Sequence, residues 1–209
     1  MGIRLGDVAP DFQVDTTEGL ISFHDWQGDS WVVLFSHPAD FTPVCTTELG
    51  RTAALQGEFN RRNVKSIAVS VDSLDSHNRW SGDIGDVGGT DLNFPIIADE
   101  NRVVSELYDM IHPGEGDTST VRSVFIIDPS HKVRLTLTYP KSVGRNFSEI
   151  LRVIDALQLT DASPVSTPVD WEPGHRVIVS PLISTEDARE RFSEVEEVKP
   201  YLRWANQPA

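Results

Sequence analysis

The sequence contains a single cysteine, Cys45, in 209 residues. One cysteine excludes a disulfide within the chain and a cysteine-rich zinc site, so the protein is not a small secreted scaffold held together by disulfides. This composition favours a reducing compartment. Two interpretations of Cys45 stay open at this point, because a free cysteine is either a small buried hydrophobic side chain or a reactive sulfur.

Basic residues and long apolar runs are also scarce. The chain has 18 Lys and Arg against 32 Asp and Glu, a net charge of −14, which argues against nucleic-acid binding because phosphates require basic side chains. The longest apolar run, residues 31–35, is far shorter than the roughly 18 residues that cross a bilayer, so no membrane partner is expected. Residues 1–12 lack the basic-then-apolar pattern of an export signal, and we expect a cytoplasmic protein.

What the chain does contain is an alternation of strand and helix patterns, which predicts an α/β fold. Nearly continuous apolar runs are typical of buried strands, and strands are predicted over 31–36, 64–71, 94–98, 121–128 and 132–139. The turn sequence at 128–131 predicts a hairpin between the last two. Apolar residues at helical spacing predict helices over 46–62, 101–108 and 147–158.

A stretch with several prolines divides the chain at residues 160–175 and predicts an extended connection. We therefore expect one domain over residues 1–160 and a small extension over 161–209. Within the extension, 176–180 is predicted to be a strand and 184–198 an acidic helix that Ser184 or Thr185 caps. Three aromatic residues of the extension, Trp171, Tyr201 and Trp204, are candidates for contact with a partner subunit.

The position of Cys45 favours the reactive interpretation. A predicted strand runs into the preceding loop and a predicted helix leaves it at Thr46, so Cys45 lies at a helix start, where unpaired N–H groups and the helix dipole stabilise an anion. Pro38 and Pro43 stiffen the loop. Thr42 supplies a hydroxyl, three residues before the sulfur, that can donate to an oxygen substrate or accept from it.

A thiolate that attacks an oxygen atom also needs a cation near the charge that develops on the leaving oxygen. Arg122, inside the apolar run 121–128, is the candidate. Taken alone, it would be better explained as a surface arginine at the edge of a strand. The histidines other than His37 have no metal-ligand spacing, so no metal site is predicted from them; they are His24, His77, His112, His131 and His175.

Several segments resemble one known family. HPADFTPVCTTEL, residues 37–49, resembles the active-site segment of peroxiredoxins, in which a proline, a threonine and the peroxidatic cysteine have this spacing. PDF at 10–12, SVDSLDSHNRWSGDI at 70–84 and YPKSVGRNFSEILRVIDALQLT at 139–160 are similar to further segments of the family, the last to its one-cysteine subgroup. DWEPG and YLRW in the tail resemble the C-terminal domain of that subgroup. The resemblance covers essentially the whole chain and implies a thioredoxin-like fold with a small C-terminal extension domain.

The resemblance implies a thiol-dependent peroxidase that reduces hydrogen peroxide and organic hydroperoxides without a cofactor. Cys45 would attack the peroxide and become a sulfenic acid. Thr42 would hydrogen-bond the peroxide, Pro38 would shield the pocket, and Arg122 would stabilise the thiolate and the transition state.

Three further residues are implied as supporting groups. Glu48 and Arg145 resemble a pair that orients Arg122, although an exposed helix acid and a loop base would be equally ordinary. His37 neighbours the pocket in the one-cysteine subgroup and is a candidate for tuning it.

The resemblance also bears on partners and on other activities. With no second cysteine, an external thiol or another reductant must resolve the sulfenic acid. A homodimer or a larger homo-oligomer is implied, with residues 161–209 at the subunit interface. The alternative function is a peroxide sensor or a chaperone on a thioredoxin-like fold.

Animal members of the subgroup are associated with a phospholipase activity through a G-x-S-x-G segment. The corresponding stretch here, GDSWV at residues 28–32, keeps Ser30 and has His24 upstream. Val32 replaces the second glycine of a turn that needs small residues. We therefore do not expect lipase activity.

Overall fold

The computed structural model describes residues 2–208 and divides the chain into two compact units. The first unit ends at Phe147 and the second runs from Ser148. Both units combine strands and helices, which confirms the predicted α/β class.

A seven-stranded mixed sheet forms the centre of the first unit. Its strands are β1 (Gln13–Thr16), β2 (Gly19–Ser22), β3 (Trp31–Ser36), β4 (Val64–Ser70), β5 (Ile96–Ala98), β6 (Arg122–Ile127) and β7 (Val133–Tyr139). They lie in the order β2-β1-β5-β4-β3-β6-β7. Strand β3 is parallel to β4 and antiparallel to β6, and β6 and β7 form the predicted hairpin. The five predicted strands are confirmed, whereas β1 and β2 were missed because four residues are too few to show a period.

The helices of the first unit are α1 (Phe23–Gln27), α2 (Pro43–Ala54), α3 (Gln56–Arg61), α4 (Leu74–Gly88) and α5 (Val103–Leu107), with a 3₁₀ turn at Pro113–Glu115. The single helix predicted over 46–62 is wrong in its bounds. It begins earlier, because Pro43 fits the first helical position, and it is interrupted at Leu55. In the described part of the chain, none of the helices is long and apolar enough to cross a membrane.

Helix α4 was not predicted, because its sequence LDSHNRWSGDIGDVG has few large apolar residues. Local capping defines it instead. The Ser73 hydroxyl accepts a hydrogen bond from the Ser76 N–H, and the helix ends at Gly89 in the left-handed conformation, where glycine is favoured. The helix buries His77, Trp80 and Ile84.

Apolar side chains from the strands and from α1 and α5 form a continuous buried cluster in the first unit. A folded sheet requires such a cluster because burial of apolar area is the main favourable term in folding. Its fully buried members include Phe23, Val32, Leu34, Ile67, Val69, Ile97, Val104, Tyr108, Met110, Ile127 and Val133. The cluster makes the sheet a rigid support for the loops at its edge.

The second unit contains α6 (Phe147–Ala162, beginning at the boundary residue), β8 (Val165–Ser166), β9 (Val177–Val179), α7 (Thr185–Arg191), β10 (Glu196–Lys199) and β11 (Leu202–Ala205). Its four strands lie in the order β10-β11-β9-β8. The predicted helix over 184–198 is wrong beyond Arg191. The backbone is already extended at Phe192, and residues 196–199 pair with β11 as a strand.

The extension's aromatic residues differ in exposure. Trp171 is only 1% exposed and belongs to the buried cluster of the second unit, with Val177, Val179 and Phe192. The prediction that Trp171 is a candidate for contact with a partner subunit is therefore wrong. Tyr201 is 74% exposed and remains available.

Candidate active site

Cys45 lies in the first turn of α2, as predicted. Strand β3 ends at Ser36, the loop follows, and α2 begins at Pro43 with Thr42 as its extended N-cap residue. The side chain of Cys45 is fully buried. The sulfur therefore lies where the helix dipole favours a negative charge, and the surrounding protein excludes solvent from it.

Arg122, the first residue of β6, provides the cation beside the sulfur. Its Nη1 lies 3.4 Å from Cys45 Sγ and 2.7 Å from Glu48 Oε2, and its Nε donates to the Lys141 carbonyl oxygen at 2.9 Å. The residue is only 2% exposed, so the surface-arginine interpretation is wrong. The structure therefore places a buried positive charge in direct contact with the sulfur.

Glu48 and Arg145 form a buried pair behind Arg122, and neither is an ordinary surface residue. Arg145 Nε and Nη2 donate to the two oxygens of Glu48 at 2.9 and 2.6 Å, which is the bidentate geometry of strong pairs. Arg145 Nη1 also donates to the carbonyl oxygens of Ser36 and Ser123, and the guanidinium lies over the Phe35 ring. Arg145 thus connects α2, β3 and β6.

The charge of Glu48 is fixed by its surroundings. Burial alone would raise the pKa of this carboxyl group, but hydrogen bonds and charge from Arg145, with a smaller contribution from Arg122, hold the pKa below its ordinary value. Glu48 is therefore ionised, and it balances part of the positive charge of the two arginines that surround it.

The loop before α2 is compact and strained. Pro38 is buried and Thr42 is half-buried, and the Thr42 hydroxyl donates to the Ala39 carbonyl oxygen at 2.9 Å. Phe41 has a φ of 54°, which is costly for a bulky residue. The predicted loop residues are thus next to Cys45 in the chain and held in one conformation.

His37, Asp40 and His77 form a buried cluster under this loop. His37 Nε2 lies 2.9 Å from Asp40 Oδ1, and His77 Nδ1 lies 2.7 Å from Asp40 Oδ2. One candidate ligand atom of each residue lies within 4.8 Å of the other two, and the four atoms named here are joined by hydrogen bonds. The absence of a metal site stays a prediction. Asp40 and His77 were missed from the sequence, because no motif links residues 37 positions apart.

The two residues of the broken lipase motif are engaged elsewhere. The Ser30 hydroxyl donates to Asn63 Oδ1 at 3.0 Å, and His24 Nε2 lies 2.8 Å from the Ala9 carbonyl oxygen. The His24 ring stacks on His131 with 4.0 Å between ring centroids. Ser30 thus lies in the short connection between α1 and β3.

The buried sulfur, the guanidinium 3.4 Å from it and the hydroxyl three residues upstream are the groups that a thiolate nucleophile would use. Comparison with known proteins gives the same class. The AhpC/TSA family matches residues 5–136, and the C-terminal domain of 1-Cys peroxiredoxin matches residues 156–194. The chain belongs to the AhpC/TSA family, as a peroxiredoxin of the one-cysteine type. It has the thioredoxin-like fold of that family and is a thiol-dependent peroxidase.

Individual relatives are similar over the full chain. Peroxiredoxin-6 of Mus musculus is 51% identical, with 99% of both chains covered. "Peroxiredoxin PRX1, mitochondrial" of Saccharomyces cerevisiae is 52% identical over 97% of this chain and 80% of its own length. The peroxiredoxin 6 of Arenicola marina has a sequence that is 50% identical to this chain. Its crystal structure matches with a TM-score of 0.94, with 99% of both chains covered.

A solved structure of the yeast mitochondrial 1-Cys peroxiredoxin is also similar. It is 51% identical, with a TM-score of 0.92, and covers 98% of this chain and 99% of its own. That work describes a thiol resolving mechanism through glutathione and thioredoxin systems in the yeast protein.

Proposed function

We propose that Cys45 is the peroxidatic nucleophile and that Arg122, Thr42 and Pro38 form its peroxide pocket. The observation that carries the proposal is the contact of 3.4 Å between Arg122 Nη1 and Cys45 Sγ, deep in the first unit and beside the N-terminus of α2. Arg122 stabilises the thiolate and the charge on the leaving oxygen. Thr42 hydrogen-bonds the peroxide, and Pro38 keeps water from the pocket.

Glu48 and Arg145 hold Arg122 in place. Glu48 accepts from both guanidinium groups, and Arg145 is in turn fixed by two backbone carbonyl groups. His37 supports the loop from below through its bond with Asp40. These three residues position the pocket and do not touch the peroxide.

The proposed reaction is a two-electron oxidation of sulfur. The thiolate of Cys45 attacks one peroxide oxygen, an S–O bond forms, and the O–O bond breaks. The departing oxygen takes up a proton and leaves as water from hydrogen peroxide or as an alcohol from an organic hydroperoxide. Cys45 becomes a sulfenic acid.

An external thiol completes the cycle. It attacks the sulfenic sulfur, releases water and forms a mixed disulfide, and a second thiol then displaces Cys45 as the free thiol. We propose glutathione or a thioredoxin-like protein as the reductant, since a similar yeast protein is described with these systems.

The first test is stopped-flow mixing of the reduced protein with one equivalent of hydrogen peroxide. Trp80 donates to the hydroxyl of Thr46, next to Cys45 on α2, so tryptophan fluorescence should report oxidation of the sulfur. We expect a fast change, with sulfenic acid on Cys45 by mass spectrometry, and no change in Cys45→Ser. A rate no higher than that of a free thiol measured alongside would refute the proposal.

Turnover separates the peroxidase from the alternative functions. With excess peroxide and added glutathione or thioredoxin, an enzyme consumes many equivalents. A peroxide sensor would stop after one equivalent, and a chaperone would suppress aggregation of a client protein equally well with Cys45→Ser.

We further propose that the protein is a homodimer or a larger homo-oligomer in the cytoplasm, with residues 161–209 at the subunit interface. Support comes from β7, an edge strand of the seven-stranded sheet. Its first residue, Val133, bonds to Gly6 and Asp7, and the part of the edge beyond it is suited to pairing with a second copy. Exposed Tyr201 and Leu182 supply apolar contact area in the extension. Light scattering should find a mass well above the 23.2 kDa of one chain. A mass near 23.2 kDa would show that the protein is a monomer.

A further inference from the structure

The cluster of His37, Asp40 and His77 lies outside the residues assigned to the peroxide pocket, and its hydrogen bonds define its charges. All three side chains are buried, with 0–1% side-chain exposure. The carboxylate of Asp40 accepts from three side chains: His37 at 2.9 Å, Ser76 Oγ at 2.8 Å and His77 at 2.7 Å. Three side-chain donors leave Asp40 ionised.

The hydrogen bonds of His77 require a proton on each ring nitrogen. Its Nε2 lies 3.2 Å from the Ile97 carbonyl oxygen, which can only accept. Its Nδ1 lies 2.7 Å from the ionised carboxylate of Asp40, which also can only accept. Both nitrogens of His77 therefore donate, and the ring is an imidazolium that forms a buried ion pair with Asp40.

His37 is neutral by the same reasoning. Its Nε2 donates to Asp40, while Nδ1 has no hydrogen-bond partner among residues 2–208, so a proton there would be buried without an acceptor. Burial, opposed by Asp40, lowers the pKa of His37 from its ordinary value. The cluster thus contains one anion, one cation and one neutral ring, which sum to zero charge in a buried site.

This ion pair fixes the backbone of the pocket loop. The Asp40 N–H donates to Asp72 Oδ2 at 3.0 Å, so both the backbone and the side chain of Asp40 are held. The next residue is Phe41, whose φ of 54° persists only where the surroundings hold the backbone there. Thr42 and the start of α2 follow directly.

We infer that Asp40 and His77 are positioning residues of the peroxidase reaction, because their ion pair holds the loop that carries Pro38 and Thr42 against Cys45. The inference rests on the proposed function of Cys45. His77 comes from α4, so the pair connects the pocket loop to that helix. Neither residue contacts the peroxide.

The kinetic test compares Asp40→Asn, His77→Gln and a matched carboxylate-to-amide control, Asp75→Asn, whose side chain on the same helix is 82% exposed. We expect the rate constant for oxidation of Cys45 by hydrogen peroxide to fall about 10- to 100-fold in the first two variants. The amount of Cys45 oxidised per chain should stay at one equivalent. The control should react like the wild type.

The two measurements together distinguish positioning from a general loss of fold. Unfolding would lower the fraction of chains in which Cys45 reacts, whereas loss of positioning lowers only the rate constant. If the wild type reacts rapidly and Asp40→Asn and His77→Gln react equally rapidly, the inference is overturned but the proposed function stays intact. A slow wild type refutes the proposed function itself.

The charge assignment is tested on the wild type, and His77→Gln serves only to identify which signal belongs to His77. Nitrogen-15 NMR of histidine-labelled protein at neutral pH should show one buried imidazolium, absent in His77→Gln, and one buried neutral ring with its proton on Nε2. Two neutral rings would overturn the ion pair. A stoichiometric metal ion that copurifies with the wild type and is lost in His77→Gln would also overturn it, because a metal would then occupy the place of the proton.

Discussion

Glu48→Gln is expected to lower the free energy of unfolding by about 3–5 kcal/mol, the usual cost of removing one member of a buried ion pair. The carboxylate of Glu48 is the shared acceptor of Arg122 and Arg145, which are 2% and 7% exposed. An amide at this position leaves both guanidinium groups buried without their counter-charge. Arg122 then loses its position beside Cys45, and we expect peroxide oxidation to slow by about 100-fold.

Glu58→Gln is the matched control for this prediction. Glu58 also bonds to two arginines, Arg61 and Arg62, but at the surface of α3, where ion pairs contribute little. Urea denaturation and stopped-flow oxidation should leave the Glu58 variant close to the wild type. Equal behaviour of the two glutamine variants would show that the buried pair does not support the site.

The same substitution should change the pH dependence of stability. The folded protein holds the pKa of Glu48 below its ordinary value, so the bonds to the arginines stabilise the folded state fully above the ordinary carboxyl pKa. That contribution is lost as the pH falls through the lower, folded value. The glutamine variant cannot titrate there, and the difference in stability between wild type and variant should shrink on acidification. A difference that is constant with pH would contradict the assignment of charge to Glu48.

Most residues of the candidate site could be named from the sequence because they lie in short motifs. Pro38, Thr42 and Cys45 are read from one loop, and the elements on either side of that loop place the sulfur at a helix start. Only the family resemblance distinguished Arg122 from a surface arginine at the sequence level, because a single arginine in an apolar strand is compatible with both interpretations. Only the structure shows that it lies 3.4 Å from the sulfur.

Other features depend on contacts between distant parts of the chain. Asp40 and His77 meet only because α4 packs beside the pocket loop, and α4 itself has a weak apolar pattern and is defined by its caps. Strands β1 and β2 are too short to show a period, and the acidic segment beyond Arg191 becomes a strand because it pairs with β11. In each case tertiary pairing decides what local propensity leaves open.

Gly88→Ala is expected to destabilise the protein by about 1–3 kcal/mol, the usual cost of overpacking, and to slow oxidation of Cys45. Helices α2 and α4 cross at Gly50 and Gly88. A Cβ atom on Gly88 would lie 2.6 Å from the Gly50 carbonyl oxygen and 2.8 Å from its Cα. Because these are backbone atoms, the added methyl group can be accommodated only if the helices separate. Helix α2 carries Cys45 and Glu48, so its displacement also disturbs the site.

Gly82→Ala on the same helix is the matched control, since a Cβ there meets nothing within 4 Å. It should stabilise the protein by about 0.5–1 kcal/mol, because alanine has less conformational freedom to lose in a helix.

Gly50→Ala, whose Cβ would lie 2.9 Å from the Gly88 nitrogen, should behave like Gly88→Ala. The double variant should cost less than the sum of the two, because the first substitution already separates the helices. Thermal unfolding and stopped-flow oxidation measure both effects. A Gly88 variant as stable and as fast as the wild type would show that the crossing tolerates a side chain and that the position of α2 does not depend on it.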